Sequence, residues 1–169
     1  MLPLLRILGP LNATISRICM IVAVGGLFAI VAVVLLQVFG RYVLNDTPTW
    51  AESLALVLVL YVTMFGAAAG VRDAGHIGLE SLLGMMLPEA QRVWVEILIH
   101  GLVAAFGAVM AWNAGLMAAS VMPYKIPTLG LPEGINHVSL SIAGILIVLF
   151  SIEHILALMA GEKVRPSWH

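Results

Sequence analysis

Glu96 and His100 stand four residues apart, hence on one face of any helix that carries them. Glu153 and His154 stand side by side further along. In a chain this apolar such groups matter, because ionisable side chains inside a membrane are costly and mark functional sites by default. Two chemistries fit them: a proton relay, or a haem held between His100 and His154. The plainer reading is a set of near-interface groups that pair with one another or reach toward water, since none lies at the midplane of its apolar run. The sequence has no nucleophile–base pair, phosphate loop or metal-spaced histidine cluster, which points away from an enzyme. Cys19 is the only cysteine, so an internal disulfide, a cysteine-pair redox relay and a thiolate zinc site are excluded.

These groups have to be positioned by long apolar elements. The chain has 169 residues, 62% hydrophobic and 10% charged; soluble domains carry about 25% charged residues. It is an integral membrane protein of the all-α class, a single four-helix domain over 1–169. A net charge of −1 gives no basic excess for nucleic acid. Residues 18–40 carry no charge and match the roughly 20 residues one bilayer crossing requires. The crossings are expected at about 16–42, 48–71, 90–120 and 135–160, with a short interfacial helix at about 77–87. Residues 1–14, with Pro3, Gly9, Pro10 and Asn12, read as an interfacial lead-in to an uncleaved first helix. Residues 122–134 hold Pro123, Pro127, Gly130 and Pro132 and must be a loop.

Between the first two runs lies a compact joint, Gly40-Arg41-Tyr42 through Asn45-Asp46-Thr47-Pro48-Thr49-Trp50-Ala51-Glu52. A backbone turn inside hydrocarbon would leave its polar groups unpaired, so the joint belongs at a membrane surface. Thr47 before Pro48 fits an N-cap and an N1 proline, and Thr49 with Glu52 fits a capping box. Tyr42 and Trp50 suit the interfacial belt. Arg41 and Glu52 close one helix and open the next, so they are placed to pair. Lys and Arg dominate the side holding Arg6, Arg17, Arg72, Arg92, Lys163 and Arg165, which makes that side, with both termini, cytoplasmic. The joint and the proline-rich loop then face outward.

Small residues recur at four-residue spacing: Gly66 and Gly70, then Gly107, Ala111, Gly115 and Ala119. They allow close van der Waals approach in lipid. Either another subunit or a neighbouring helix of the same chain can use them. Gln37 and Asn113 are placed for an interhelical hydrogen bond. No helix is broken at membrane depth and no polar face runs the length of one, so neither a midplane solute site nor a pore is indicated.

The joint resembles the small membrane subunit (Q, DctQ-like) of TRAP transporters, the tripartite ATP-independent periplasmic transporters. His76-Ile77-Gly78-Leu79-Glu80 resembles that family's His-Ile-x-apolar-acid motif, with Glu80 where Asp is the commoner residue. Leu131-Pro132-Glu133-Gly134 resembles its Leu-Pro-x-Gly before the last helix. The resemblance implies a multi-pass subunit of a bacterial or archaeal inner membrane, with no cofactor of its own. It implies pairing with a large membrane subunit as a fixed scaffold, and helping dock a periplasmic substrate-binding protein for sodium-coupled uptake of an organic anion, often a carboxylate. Carried over by position, Arg41, Trp50 and Glu52 would order the outer ends of the first two helices. His76 and Glu80 would anchor the surface helix. The loop with Tyr124 and Lys125 would lie where the binding protein docks. Losing Glu52 would then weaken assembly. The alternative is a haem- or quinone-associated membrane anchor of a redox enzyme, which needs His100 and His154 facing each other. A self-contained small transporter or channel and a membrane assembly factor are the remaining rivals.

Overall fold

The computed structural model describes residues 2–46, 48–73, 89–161, 164 and 167. The surface helix expected at 77–87, with His76 and Glu80, lies outside the described residues. Four long helices account for nearly all of the rest: α1 (Leu2–Phe39), α2 (Thr49–Asp73), α3 (Glu89–Val121) and α4 (Ile135–Ala160). All four are long and apolar enough to cross a membrane.

α1 begins at Leu2 and runs through Pro10, so the residues expected as a lead-in continue the helix. One internal proline removes a single backbone hydrogen bond, at a cost of about 3 kcal/mol. Contacts along one face offset it. Gly9, Asn12 and Ser16 follow helical spacing, and each is bonded to another helix end. Only a helix aligns all three.

At its other end α1 widens into a π-helical turn over Gly40–Leu44 and stops at Asn45, which is left-handed with φ 58°. The Gly40 carbonyl accepts the backbone N–H groups of both Asn45 and Asp46, the latter at 3.0 Å. A side chain at Gly40 would put its first carbon 2.7 Å from the Asp46 carbonyl oxygen and 3.1 Å from Pro48 Cδ. Glycine is therefore the residue that lets the chain fold back on itself here. Asn tolerates the left-handed turn that follows. α2 then starts at Thr49, with Ala51 N–H donating to the Pro48 carbonyl at 3.2 Å. No capping bond from Thr49 or Glu52 forms among the described residues; Thr47, the other expected cap, lies outside them.

α4 is the central element. It packs along α3 on one side and α2 on another, and α1 lies mainly on α2 while touching α4 at one end. Among the described residues α3 approaches α4 alone. The core centres on Phe150, fully buried with Ala68, Ala143 and Ile147, and flanked by Met64 and Val71 of α2 and Val103 and Met110 of α3.

The α3–α4 contact is made by small residues within this chain. A Cβ on Gly144 would lie 2.7 Å from the Ala111 nitrogen and 2.7 Å from the Gly107 oxygen. Gly115 faces Ser141, whose hydroxyl donates to the Ala111 carbonyl at 3.0 Å. Backbones this close leave no room for a larger residue. A Cβ added at Gly66 would lie 3.9 Å from Ala23 of α1, and one added at Gly70 would meet no described atom of another helix within 4 Å. The buried residues between Gly107 and the end of α3 are Ala114 and Ala118, so the packed face follows the helical period rather than a strict four-residue step through Ala119.

Replacing Gly144 with alanine is expected to destabilise the folded chain by about 1–3 kcal/mol, the usual range for overpacking. Gly25→Ala, at a position with no atom within 4 Å, should leave stability unchanged or slightly raised. Thermal unfolding in detergent, followed by circular dichroism, distinguishes the two.

Candidate functional site

The polar chemistry of the described chain collects at one end of the bundle. Arg72 and Asp73 close α2, and both are buried, at 3% and 6% exposure. Glu153 comes from α4 and is 2% exposed. The Arg72 guanidinium grips Glu153 with two bonds, Nε to Oε2 at 3.0 Å and Nη2 to Oε1 at 3.0 Å. Its third nitrogen, Nη1, donates to Asp73 Oδ1 at 2.9 Å. Nη2 also reaches the Gly9 carbonyl of α1 at 3.3 Å. A planar five-donor fork is suited to two carboxylates and a carbonyl at once; a lysine is not.

The carboxylates are satisfied in turn. Glu153 accepts from Asn12 Nδ2 at 2.9 Å. Asp73 accepts from the Ser16 hydroxyl at 2.6 Å and from the Ser167 backbone N–H at 3.0 Å, and the Ser167 hydroxyl donates to its Oδ2. Arg17 donates to the Ser167 carbonyl through Nε at 3.1 Å and through Nη2. Ser167 is thus bonded to Arg17 of α1 and to Asp73 of α2. Buried charge this well bonded is held in place, and breaking one partner leaves the other uncompensated.

Beside this network the two histidines meet. The rings of His100 and His154 stack with centroids 4.5 Å apart and planes 5° from parallel. His154 Nε2 lies 3.0 Å from the Arg72 carbonyl and donates to it, because a carbonyl can only accept. Glu96 accepts from Arg92 Nε at 2.7 Å one turn earlier on α3. The histidines do face each other across the α3–α4 contact, as the redox-anchor alternative requires. Their geometry does not suit it. Haem ligation by two imidazoles aims one nitrogen from each side at an iron, with the macrocycle between them. Two rings in face-to-face contact leave no such slot. The four groups pair with one another or with neighbouring arginines, and no group of three metal-ligating side chains forms among the described residues.

The other end carries the joint and the 122–134 loop. Arg41 and Glu52 are both exposed, and no ion pair joins them among the described residues. Tyr42 is 79% exposed and Trp50 40%. The loop is a small bonded hairpin: Ile126 N–H donates to the Leu131 carbonyl at 2.9 Å and Glu133 N–H to the Tyr124 carbonyl at 2.8 Å. Gly130 takes φ 67° at its tip. Thr128 donates its hydroxyl to the Ser53 hydroxyl at 2.6 Å, and Tyr61 donates to the Ile135 carbonyl at 3.1 Å. The first bond fixes the loop to α2, and the second fixes the start of α4 beside it to the same helix. Tyr124 and Lys125 stand out from this platform into the surroundings. Gln37 and Asn113 are not brought together, because α1 does not approach α3 among the described residues. Asn113 instead donates to the Val109 carbonyl of its own helix at 2.8 Å.

Arg72, Asp73, Asn12, Ser16 and Ser167 were not legible as a site. One signal pointed to them. Glu153 lies inside an apolar helix and requires a cation at its level, and Arg72 ends the preceding long helix on the same side.

A bundle of four helices long and apolar enough to cross a membrane, with buried charges paired at one end, defines an integral membrane protein. Known proteins place it more closely. The family described as "Tripartite ATP-independent periplasmic transporters, DctQ component" matches residues 30–161, so the chain belongs to that family. It is 26% identical over 150 residues to the sialic acid TRAP transporter small permease protein SiaQ of Vibrio cholerae serotype O1, covering 88% of this chain and 86% of that protein. It is 31% identical over 65 residues to the C4-dicarboxylate TRAP transporter small permease protein DctQ of Rhodobacter capsulatus, covering 35% of this chain and 29% of that protein. An 80-residue stretch, 47% of this chain, is 34% identical to 13% of the sialic acid TRAP transporter permease protein SiaT of Haemophilus influenzae. The chain is a small permease subunit of a TRAP transporter in the inner membrane, a transport component rather than an enzyme, working with the other components of that assembly.

Arg72→Ala is expected to cost about 3–5 kcal/mol by leaving Glu153 and Asp73 buried without their cation. Glu52→Gln should leave the melting temperature of the isolated subunit unchanged, since Glu52 has no ion partner among the described residues. Paired thermal-shift measurements in one detergent check both; similar shifts for the two variants would refute the ranking.

Proposed function

We propose that this subunit is the still, accessory part of a sodium-coupled importer of an organic anion. It pairs with the large permease subunit as a fixed scaffold and helps dock the periplasmic substrate-binding protein. The observation that carries this reading is where the charge goes. The described charged side chains of the helices at the Arg72 end, Arg17, Arg72, Asp73, Arg92, Glu96 and Glu153, are each bonded to another group of the same chain. Such groups hold helices together and leave none over to receive an ion or a solute. On this reading the substrate and sodium sites lie in the large subunit.

The excess of Lys and Arg on the side of Arg72 in the sequence supports a cytoplasmic position for that end, with the hairpin outside. A hairpin bonded to itself and to α2 changes shape little on binding, which suits a docking platform. Tyr124 and Lys125 give it one aromatic and one cationic contact. The surface helix with His76 and Glu80 would brace the cytoplasmic face. Two of the relatives carry sialic acid in their names and one C4-dicarboxylate; both are acids, anionic at neutral pH. An organic carboxylate is therefore the substrate class to test first.

The test is uptake by proteoliposomes holding the small and large subunits, with the binding protein outside. Uptake of a labelled carboxylate should need an inward sodium gradient and should vanish with potassium in its place. A Tyr124→Ala, Lys125→Glu double variant should lower binding-protein-dependent uptake about tenfold, the size expected when a charged and an aromatic contact are lost together. The two permease subunits should still co-purify. Full uptake by the double variant would remove the hairpin from the docking surface, and uptake without sodium would remove the coupling ion.

A further inference from the structure

Among the described residues α1 and α3 both have long faces with no protein against them, and the chemistry of the two faces differs. The bare face of α1 is almost wholly apolar through its middle, with Ile21, Val24, Phe28 and Val31 exposed, and α1 is the most apolar of the four spans. That surface is matched to acyl chains. α3 is the least apolar span, although no more of it is buried than of α2. Its bare face presents Phe106, Trp112 and Met117, exposed at 65%, 70% and 53%, with Asn113 among them. Aromatic residues and methionine are enriched where proteins meet.

Two polar groups on this face lack partners. Asn113 uses its Nδ2 on its own helix, and its carboxamide oxygen accepts no bond among the described residues. The indole N–H of Trp112 likewise donates to nothing there. Both lie about two helical turns inside the end of α3 at Val121, roughly 12 Å along the axis. A donor and an acceptor thus sit side by side, facing away from the bundle. In hydrocarbon, such groups are satisfied by another helix.

We propose that the α3 face around Phe106, Trp112 and Asn113 receives a transmembrane helix of the large permease subunit, which presents a hydrogen-bonding side chain at the level of Asn113. The proposal rests on the TRAP reading above and adds the surface that reading leaves open. A permease helix is favoured over a second copy by the Haemophilus influenzae relative. There a stretch similar to part of this chain makes up 13% of one longer permease protein. Such a stretch and the rest of a permease are joined in that polypeptide.

The test co-expresses the full subunit with its large permease subunit and places the photo-crosslinking residue p-benzoylphenylalanine at Val109 or Leu116 of α3. Val24 and Val31 of α1 serve as controls. Cross-links to the large subunit are expected from Val109 and Leu116 at about ten times the yield from α1, because cross-linking needs direct contact and the α1 face is assigned to lipid. A Trp112→Leu, Asn113→Leu double variant should recover severalfold less large subunit, with an unchanged melting temperature when purified alone. Cross-links from α3 to a second copy or to lipid only, or equal yields from α1, would overturn the choice of face while leaving the partner in place. Failure of the unsubstituted subunit to recover any permease would overturn the partner itself.

Discussion

The Arg72–Glu153 ion pair is the constraint around which the bundle is arranged. A guanidinium and two carboxylates are buried within a few ångströms of one another, and each must be met by bonds that water would otherwise supply. α1 must therefore stay helical through Pro10, so that Gly9, Asn12 and Ser16 arrive in register. α2 must reach as far as Asp73. The tail must return so that Ser167 can close the second carboxylate. An apolar residue in place of each charge could fill the same space at no loss of stability. A network like this contributes specification: it fixes which level of each helix meets which level of its neighbours. In lipid, where apolar faces slide past one another without a hydrophobic penalty, that information has to come from polar contacts or from shape.

Shape supplies it at the α3–α4 contact. Gly107, Ala111 and Gly144 let two backbones approach until a single added carbon would collide with them. The polar network and the small-residue notch act on different pairs of helices. One ties α1, α2 and α4 at the Arg72 end; the other sets α3 against α4 along its length. The stacked histidines link the two systems at one level of the bundle. Their stacking follows from the α3–α4 approach and does not create a site, since both rings lie flat against each other with no volume between them.

Most of the architecture was legible in the sequence because membrane spans have a strong signature. Apolar runs of the right length, broken by Pro, Gly and charge, gave four helices and the joint between the first two. The start of α1 was not legible. Pro3, Gly9 and Pro10 are poor helix residues locally, and what overrides them is bonding to residues 57 to 141 positions away. The expected Arg41–Glu52 pair and Thr49 capping box fail for the opposite reason. The joint is closed by backbone geometry at Gly40 and Asn45, which a reading of side-chain charge does not register. His100 and His154 were legible as neighbours, but stacking rather than end-on approach is a matter of ring orientation, and spacing says nothing of that.

The same distinction bears on what a small subunit contributes to a transporter. A part that moves needs faces that exchange contacts at low cost. A part that stays still needs contacts that are costly to exchange. Here one end is locked by buried charge, the middle by backbone-to-backbone packing, and the other end by a hairpin bonded to α2. Sliding α2, α3 or α4 by one turn, about 5.4 Å, would separate Arg72 from Glu153 or drive a side chain into Gly144, and sliding α1 would part Asn12 from Glu153 and Ser16 from Asp73. The chain is built to resist displacement at three levels of the membrane. That is the physical property a fixed scaffold requires, and it follows from side chains that touch no substrate.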